Sequence, residues 1–213
     1  MDILITGANR GIGAALLRDY RAEGRNAVGT ARAAPDLLPL DVTDPASVAA
    51  LAASLDGAPL GLLVCNAGVY LDKGHSLGAG YGADLWAQSF ATNVTGVFLT
   101  IEALLPNLRA AGGKIAILSS QMASQELAPG GAYIYRASKA AVLNLGRNLA
   151  ADLKGDGISV GIYHPGWVQT DMGGTGAAIT PDEASAGLRA RFAALGLATT
   201  GCFETWDGRA HPL

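Results

Sequence analysis

Short, uninterrupted apolar runs alternate along the whole chain with longer stretches of helical period. "DILIT" (2–6), "NAVGTA" (26–31), "LLPL" (37–40), "LGLLVC" (60–65), "KIAILS" (114–119), "ISVGIY" (158–163) and "TTGCFE" (199–204) read as strands. Between them the pattern predicts helices over 11–23, from Asp44-Pro45 onward, over 84–110, over 132–154 and from Thr180-Pro181 to about residue 195. Asp44 and Thr180 are N-cap residues followed by a proline at the first helical position, where its missing N–H costs nothing. The strands are apolar throughout rather than alternating, so both faces of each are covered. Strand–helix alternation then implies a parallel sheet with helices on both sides. No linker, repeat or low-complexity block interrupts the pattern, and residues 1–213 read as one α/β domain. The Gly-rich stretch 72–82 reads as a loop at the rim of a pocket.

Composition narrows the setting. Half of the 213 residues are hydrophobic and 15% are charged, with a formal net charge of −3. That balance does not favour nucleic acid or an anionic membrane surface as partner. No uncharged apolar run approaches the roughly 20 residues that span a bilayer. The opening "MDILITGANRG" reads as a strand and turn rather than a signal peptide. Cys65 and Cys202 form no disulfide framework, which suggests thiols in a reducing cytoplasm. His75, His164 and His211 lack metal-ligand spacing, so no metal is expected.

Two motifs carry chemistry. "TGANRGIG" (6–13) joins the first strand to the first helix. Gly7, Gly11 and Gly13 permit a tight turn and close approach of backbone N–H groups to a phosphate, and the helix N-terminus adds positive potential. Asn9, Arg10 and Ile12 complete this cofactor loop. The second motif is "YIYRASK" (133–139). Tyr135 and Lys139 are four apart and share one helix face, whereas Tyr133 points to the opposite side. An ammonium beside the phenol favours phenolate and can lower its pKa by about 1–3 units. Tyr135 is therefore the expected general acid in carbonyl reduction and base in alcohol oxidation. Tyr133 reads as packing or substrate wall.

These motifs, with "LDVTD" (40–44), "CNAG" (65–68), "ATNVTG" (91–96), "ILSS" (117–120) and "HPGWVQT" (164–170), resemble the short-chain dehydrogenase/reductase family in family order over nearly the whole chain. The C-terminal "TTGCFETWDGRAHPL" is similar to the tail of a subgroup, the C-factor and sniffer-type carbonyl reductases. The resemblance implies a Rossmann-type doubly wound fold and hydride transfer between a nicotinamide and a carbonyl or alcohol. It implies adenine contacts from Asp41 and Val42, cofactor contacts from Asn66, Ala67 and Gly68, and a nicotinamide end held by Pro165, Gly166, Val168 and Thr170. Tyr135 and Lys139 would also touch the cofactor, Lys139 at the nicotinamide ribose. Asn93 would hold a water that relays protons to Lys139. Ser119 and Ser120 face opposite sides of a strand end; the family uses the second, which points to Ser120 as the hydroxyl on the substrate oxygen, with Ser124 as a rival. His164 reads as a structural histidine near the nicotinamide, and Trp167 as pocket lining or packing. A signalling protein of C-factor type, binding NAD(P) with little turnover, is the alternative.

The second strand ends in "GTAR", without the acid that binds a ribose 2′-hydroxyl in NAD sites. Arg10 and Arg32 are available to clamp a 2′-phosphate. NADP(H) is therefore the favoured cofactor, with NAD(H) possible. Between Arg32 and Asp41 there is no room for the usual helix after the second strand. The long helix carries no charge from Leu85 through Ile101, and from Ala140 to Ala151 the only charge is Arg147. A helix that merely covers a sheet needs one apolar stripe, so these two predict a homodimer or homotetramer.

Overall fold

The computed structural model describes residues 1–78 and 80–213. Seven strands form one parallel sheet: β1 (Ile3–Ile5), β2 (Ala27–Ala31), β3 (Leu38–Pro39), β4 (Leu62–Cys65), β5 (Lys114–Leu118), β6 (Ser159–His164) and β7 (Phe203–Thr205). Their order is β3-β2-β1-β4-β5-β6-β7. The order reverses between β1 and β4, which pair in register from Ile3 opposite Leu62 to Ile5 opposite Val64. In open α/β sheets ligands bind in the crevice beyond the strand ends at such a reversal.

Alternate strand residues feed two cores. Leu4, Leu63, Cys65, Ile115, Ile117 and Val160 meet α2 (Pro45–Leu55), α4 (Gly96–Ala111) and α5 (Tyr133–Asp152) on one face. Ile3, Ile5, Leu62, Val64, Ala116 and Tyr163 meet α1 (Gly11–Ala22) and α6 (Pro181–Ala194) on the other. Both faces are thus covered, as the unbroken apolar runs require. Helix α2 starts at Asp44, whose side chain accepts from Ala46 N, and α6 starts in a capping box between Thr180 and Glu183.

Two elements differ in detail from their sequence patterns, and one connection is as short as its spacing requires. The helix expected over 84–110 is α3 (Ala83–Phe90), a π turn (Ala91–Thr95) and α4 in direct succession. Ala83–Ala111 is long and apolar enough to cross a membrane by length and composition, yet its Val97, Ile101, Leu104 and Leu108 are buried against the sheet. The last strand is not "TTGCFE": residues 199–201 turn, Gly201 has φ +85°, and pairing begins only at Phe203. Finally, β2 reaches β3 through residues 32–37 without a helix. A parallel return normally needs a longer crossover. It succeeds here because β3 is two residues long and pairs only with Thr30 and Ala31, at the far end of β2.

Candidate active site

The glycine loop and the end of β4 are sewn together at the sheet reversal. Thr6 Oγ1 accepts from the amides of Asn66 and Ala67, each at 3.0 Å. Asn66 Nδ2 returns hydrogen bonds to the carbonyls of Thr6 (2.8 Å) and Gly7 (2.9 Å). Gly7 and Gly11 have φ of +65° and +55°, and a Cβ on Gly13 would lie 2.5 Å from both Asn66 Nδ2 and Gly7 O. No side chain fits there. The result is a backbone cradle at the N-terminus of a twelve-residue helix, the construction that receives a phosphate. Gly7, Asn9, Gly11, Ile12 and Gly13 lie on this cradle, and Asn66, Ala67 and Gly68 form its other wall.

Toward the expected adenine side, Asp41 Oδ1 accepts from both the amide (2.9 Å) and the hydroxyl (2.7 Å) of Thr43. These bonds hold its carboxyl below the ordinary carboxylate range, with Arg32 adding to the effect. Arg32 makes no ion pair among the described residues. Arg10 does: its Nη1 lies 2.9 Å from Asp171 Oδ2, with both side chains largely exposed. The two arginines are therefore not equivalent, as the pattern alone had implied. Arg32 is free to meet a 2′-phosphate, while Arg10 ties the glycine loop to the segment after β6.

That segment, 165–180, crosses the mouth of the cradle. Gly166 has φ +90°, Val168 is buried and bridges to Ile179, and Thr170 packs so close to Gly11 that a Cβ there would lie 3.1 Å from Thr170 Cγ2. Thr170 thus lies against the glycine loop, with Pro165, Gly166 and Val168 on the same segment after β6. Lys73, from the loop after β4, donates to Met172 O at 2.9 Å and holds the segment from its other side.

Tyr135, Lys139, Ser120 and Asn93 converge at the ends of β4 and β5. Tyr135 lies in the first turn of α5 and Lys139 one turn on, its Nζ 5.7 Å from the Tyr135 ring centroid. Both are buried. Lys139 Nζ donates to Leu118 O at 2.8 Å and lies next to Gly68. The two serines separate as the strand geometry demands. Ser119 Oγ is turned into α5, donating to Lys139 O at 2.9 Å. Ser120 Oγ lies on the opposite side and accepts from Met122 N at 3.1 Å. Ser124 is occupied elsewhere, donating to Leu213 O and accepting from Leu127 N, each at 3.1 Å. Tyr133 is half-exposed against the edge of Tyr81, on the other side of the helix from Tyr135.

The electrostatics differ from the expectation drawn from helix spacing. Burial pushes the Tyr135 phenol up to about 12, opposed by the Ser120 hydroxyl. Burial also pulls the Lys139 ammonium down to about 8. Lys139 does not lower Tyr135, because desolvation of both groups outweighs their attraction and the ammonium is turned toward Leu118 O. Burial thus works against the phenolate that the helix spacing suggested.

Asn93 is buried in the π turn, where the helix widens by one residue. Its Oδ1 accepts from Val69 N at 2.8 Å. Its Nδ2 donates to Val69 O at 2.9 Å and Ser138 Oγ at 3.0 Å. Both protons of the amide are used in tying the end of β4 to α5, and Oδ1 keeps one lone pair. His164, at the end of β6, is buried with Nδ1 unpartnered among the described residues, and burial pulls it down to about 4. It lines a cavity of about 480 Å³ with Gln121, Trp167, Trp206 and His211.

Several participants had no sequence signal: Thr6 within the loop motif, Ser138 within "YRASK", and Tyr70, Asp72 and Lys73 in the irregular stretch after β4. Tyr70 stacks on Tyr135 with ring centroids 4.2 Å apart.

A glycine cradle at a sheet reversal, leading to a buried tyrosine and lysine beside a serine, defines a Rossmann-type oxidoreductase. The chain belongs to the short-chain dehydrogenase/reductase family: the short chain dehydrogenase profile matches residues 2–178. It is 36% identical over 223 residues to 1-hydroxy-2-glutathionyl-2-methyl-3-butene dehydrogenase of Rhodococcus sp. strain AD45, covering 97% of this chain and 96% of that protein. It is 35% identical over 165 residues to the C-signal protein of Myxococcus xanthus, covering 76% and 98%. The NADPH-bound carbonyl reductase from chicken fatty liver superposes with a TM-score of 0.91 at 31% identity, over 100% of this chain and 98% of that one. The carbonyl reductase Sniffer of D. melanogaster superposes with 0.92 at 26%, over 100% and 99%. The similarity to C-factor and sniffer-type proteins seen in the C-terminal tail therefore extends over the fold.

Proposed function

We propose that this protein is an NADP(H)-dependent carbonyl reductase acting on bulky, uncharged aldehydes or ketones. The observation that carries the reading is the convergence of Ser120, Tyr135 and Lys139 at the open end of the glycine cradle. The cradle fits a dinucleotide: Gly13 tolerates no Cβ, Gly7 and Gly11 turn the backbone toward the cleft, and no acid stands at the end of β2. Arg32 would hold the 2′-phosphate, Asp41 and Val42 the adenine, and Asn66, Ala67 and Gly68 the middle of the molecule. Lys139 would hold the nicotinamide ribose, with Pro165, Gly166, Val168 and Thr170 at the nicotinamide. When bound, NADPH supplies the hydride.

The protein's own part is proton transfer and orientation. Ser120 Oγ hydrogen-bonds the substrate oxygen as charge develops there. Tyr135 gives its phenolic proton to that oxygen. Burial pushes the phenol up, so at neutral pH it carries the proton that reduction needs. Asn93 keeps β4 and α5 in register behind the pair. Cofactor and catalytic sites would share one domain, residues 1–213, working as a homodimer or homotetramer in the cytoplasm.

The substrate class follows from the rim. Leu77, Leu127, Trp167 and Met172, on the loops beyond β4, β5 and β6, and Tyr133, at the start of α5, are exposed large apolar residues. The cations among them are engaged: Lys73 with Met172 O, Arg136 with Met122 O and Leu127 O, Arg10 with Asp171. An apolar rim whose described cations are each held by another part of the chain suits an uncharged substrate better than an acidic carrier or a sugar. The test is NADPH and NADH oxidation against a panel pairing aromatic and aliphatic carbonyls with carboxylated analogues. Turnover of the uncharged members with NADPH is expected. Similarity to the C-signal protein supports a second reading, a regulatory NAD(P)-binding protein; tight NADPH binding with no turnover on the panel would favour it.

A further inference from the structure

Helix α5 begins without a cap of its own. Its N-cap residue, Ala132, has φ +47° and ψ +44°, and a methyl group accepts no hydrogen bond. A non-glycine residue is strained in this left-handed region. Helix starts leave N–H groups that need acceptors, and a serine, threonine, aspartate or asparagine at the N-cap normally supplies one. Here the acceptor comes from 62 residues upstream. Asp72 Oδ2 accepts from Ile134 N at 2.9 Å, and Oδ1 accepts from Tyr135 N at 3.2 Å. The side chain is 1% exposed and makes no ion pair among the described residues, so the helix N-terminus itself is its counter-charge.

Asp72 is the last element of a short segment that grips one residue. Asn93 holds Val69 by both its N–H and its C=O. Tyr70 lies flat on the Tyr135 ring. Asp72 then takes the Tyr135 backbone. Val69, Tyr70 and Asp72 follow directly from the Asn66–Gly68 wall of the cofactor cradle, so the segment links cradle and tyrosine rigidly.

We propose that Asp72 is a positioning residue for the reaction: it caps the tyrosine-bearing helix from outside, fixes Tyr135 against the cofactor cradle, and sets a carboxylate at the positive end of α5. The proposal rests on the reading of Tyr135 as the proton donor. The groups facing that phenol are few. Lys139 lies on its own helix, Tyr70 on the loop after β4, and Ser120 at the end of β5. Arg136 is near Tyr70, while Tyr81 lies near Asp72 and against Tyr133. None of these is an acid. Asp72 is the negative charge at this end of the helix, within hydrogen-bond reach of the Tyr135 amide.

The test compares wild type, Asp72→Asn and Asp72→Ala. Asparagine keeps one oxygen acceptor and no charge; alanine keeps neither. Amide hydrogen exchange is followed at Ile134 and Tyr135, together with NADPH affinity, kcat and KM for reduction, and the pH profile of kcat for alcohol oxidation, which needs the phenolate. Exchange at the two amides should quicken at least about tenfold in Asp72→Ala and less in Asp72→Asn. For reduction, kcat should fall about tenfold in Asp72→Asn and further in Asp72→Ala, with NADPH affinity within about twofold of wild type. The rising limb of the oxidation profile should move to lower pH by about half a unit or more in Asp72→Asn, because removing that carboxylate lets the helix end favour phenolate. Unchanged exchange, or an unmoved limb with unchanged kcat in Asp72→Asn, overturns the proposal. If Asp72→Ala does not fold, Asp72→Asn carries all of these measurements. Full activity in Tyr135→Phe would instead sink the acid assignment, and the exchange measurement would still decide whether Asp72 caps the helix.

Discussion

Tyr70 and Tyr135 lie face to face, 4.2 Å between ring centroids and 20° from parallel. An aromatic pair of this kind contributes about 0.5–1.5 kcal/mol beyond its burial. It also removes freedom from the Tyr135 ring. The stacked face is closed to substrate, so a carbonyl can approach the phenol only from the side of Ser120 and Lys139. Tyr133, two residues earlier, is half-exposed and touches only the rim aromatics, so the two tyrosines of "YIYRASK" have different surroundings as well as different helix faces.

The first prediction follows from that contrast. Tyr135→Phe keeps the ring and the stack and removes the proton. Turnover in carbonyl reduction should fall at least about a hundredfold, with NADPH affinity nearly unchanged. Tyr133→Phe should cost less than about twofold. Steady-state kinetics on both variants decides the assignment, and the reverse ranking would show that the wrong tyrosine has been chosen.

Cofactor choice gives the second. Arg32 is unpaired beside Asp41, whereas Arg10 is held by Asp171. NADPH should bind tighter than NADH, and Arg32→Asp should reverse the order by repelling the 2′-phosphate and accepting from a 2′-hydroxyl. Arg10→Ala should weaken NADPH less than Arg32→Asp does. Fluorescence titration of both cofactors is the measurement. A wild-type preference for NADH, or a larger effect at Arg10, contradicts the assignment.

What could be read from the chain divides along a physical line. Contacts between near neighbours were legible: the turn between β1 and α1, the caps at Asp44 and Thr180, the opposite facing of Ser119 and Ser120, the helical spacing of Tyr135 and Lys139. Contacts closed by the tertiary fold were not. Asp72 lies in a stretch with no periodicity, and nothing local announces that it will cap a helix 62 residues on. The missing cap at "GGAYIY" was the one available hint. The Arg10–Asp171 pair joins positions 161 apart. The π turn at Asn93 inserts one residue into a helix whose apolar pattern continues on both sides, so periodicity passes over it. The charge state of Tyr135 could not come from spacing, because burial, which the spacing does not encode, outweighs the nearby ammonium.

Acid stability supplies the third prediction. His164 is buried and pulled from 6.5 to about 4, first by desolvation and then by His211. Between those values the unfolded chain binds a proton that the folded chain refuses. Stability should therefore fall as pH drops from about 6.5 toward 4, by about 2 kcal/mol between pH 7.5 and 5 if this group acts alone. Most carboxylates titrate below that window. Urea unfolding at the two pH values should show the loss in wild type and a smaller one in His164→Asn. Equal losses in both would mean that His164 is not the group responsible.

The last prediction concerns assembly, and burial sharpens it. The charge-free run from Leu85 to Ile101 has two sides. Val97 and Ile101 are in the core against the sheet, so a charge at Val97 would damage the fold rather than a contact between copies. Phe98 points outward and is 38% exposed, flanked by half-buried Val94 and Leu99. On α5, Ala141, Leu145 and Leu149 are likewise half-buried. Phe98 is thus an outward apolar residue within that charge-free run, which is what an isologous interface requires. Light scattering at micromolar concentration should therefore give at least twice the single-chain mass of 21.6 kDa. Phe98→Glu should return the protein to a single chain without lowering its thermal midpoint by more than a few degrees. Val97→Glu should instead lower the midpoint sharply, because an unpaired charge enters the core. A wild-type mass of one chain at every concentration would refute the assembly, and an unchanged mass in Phe98→Glu would place the interface elsewhere.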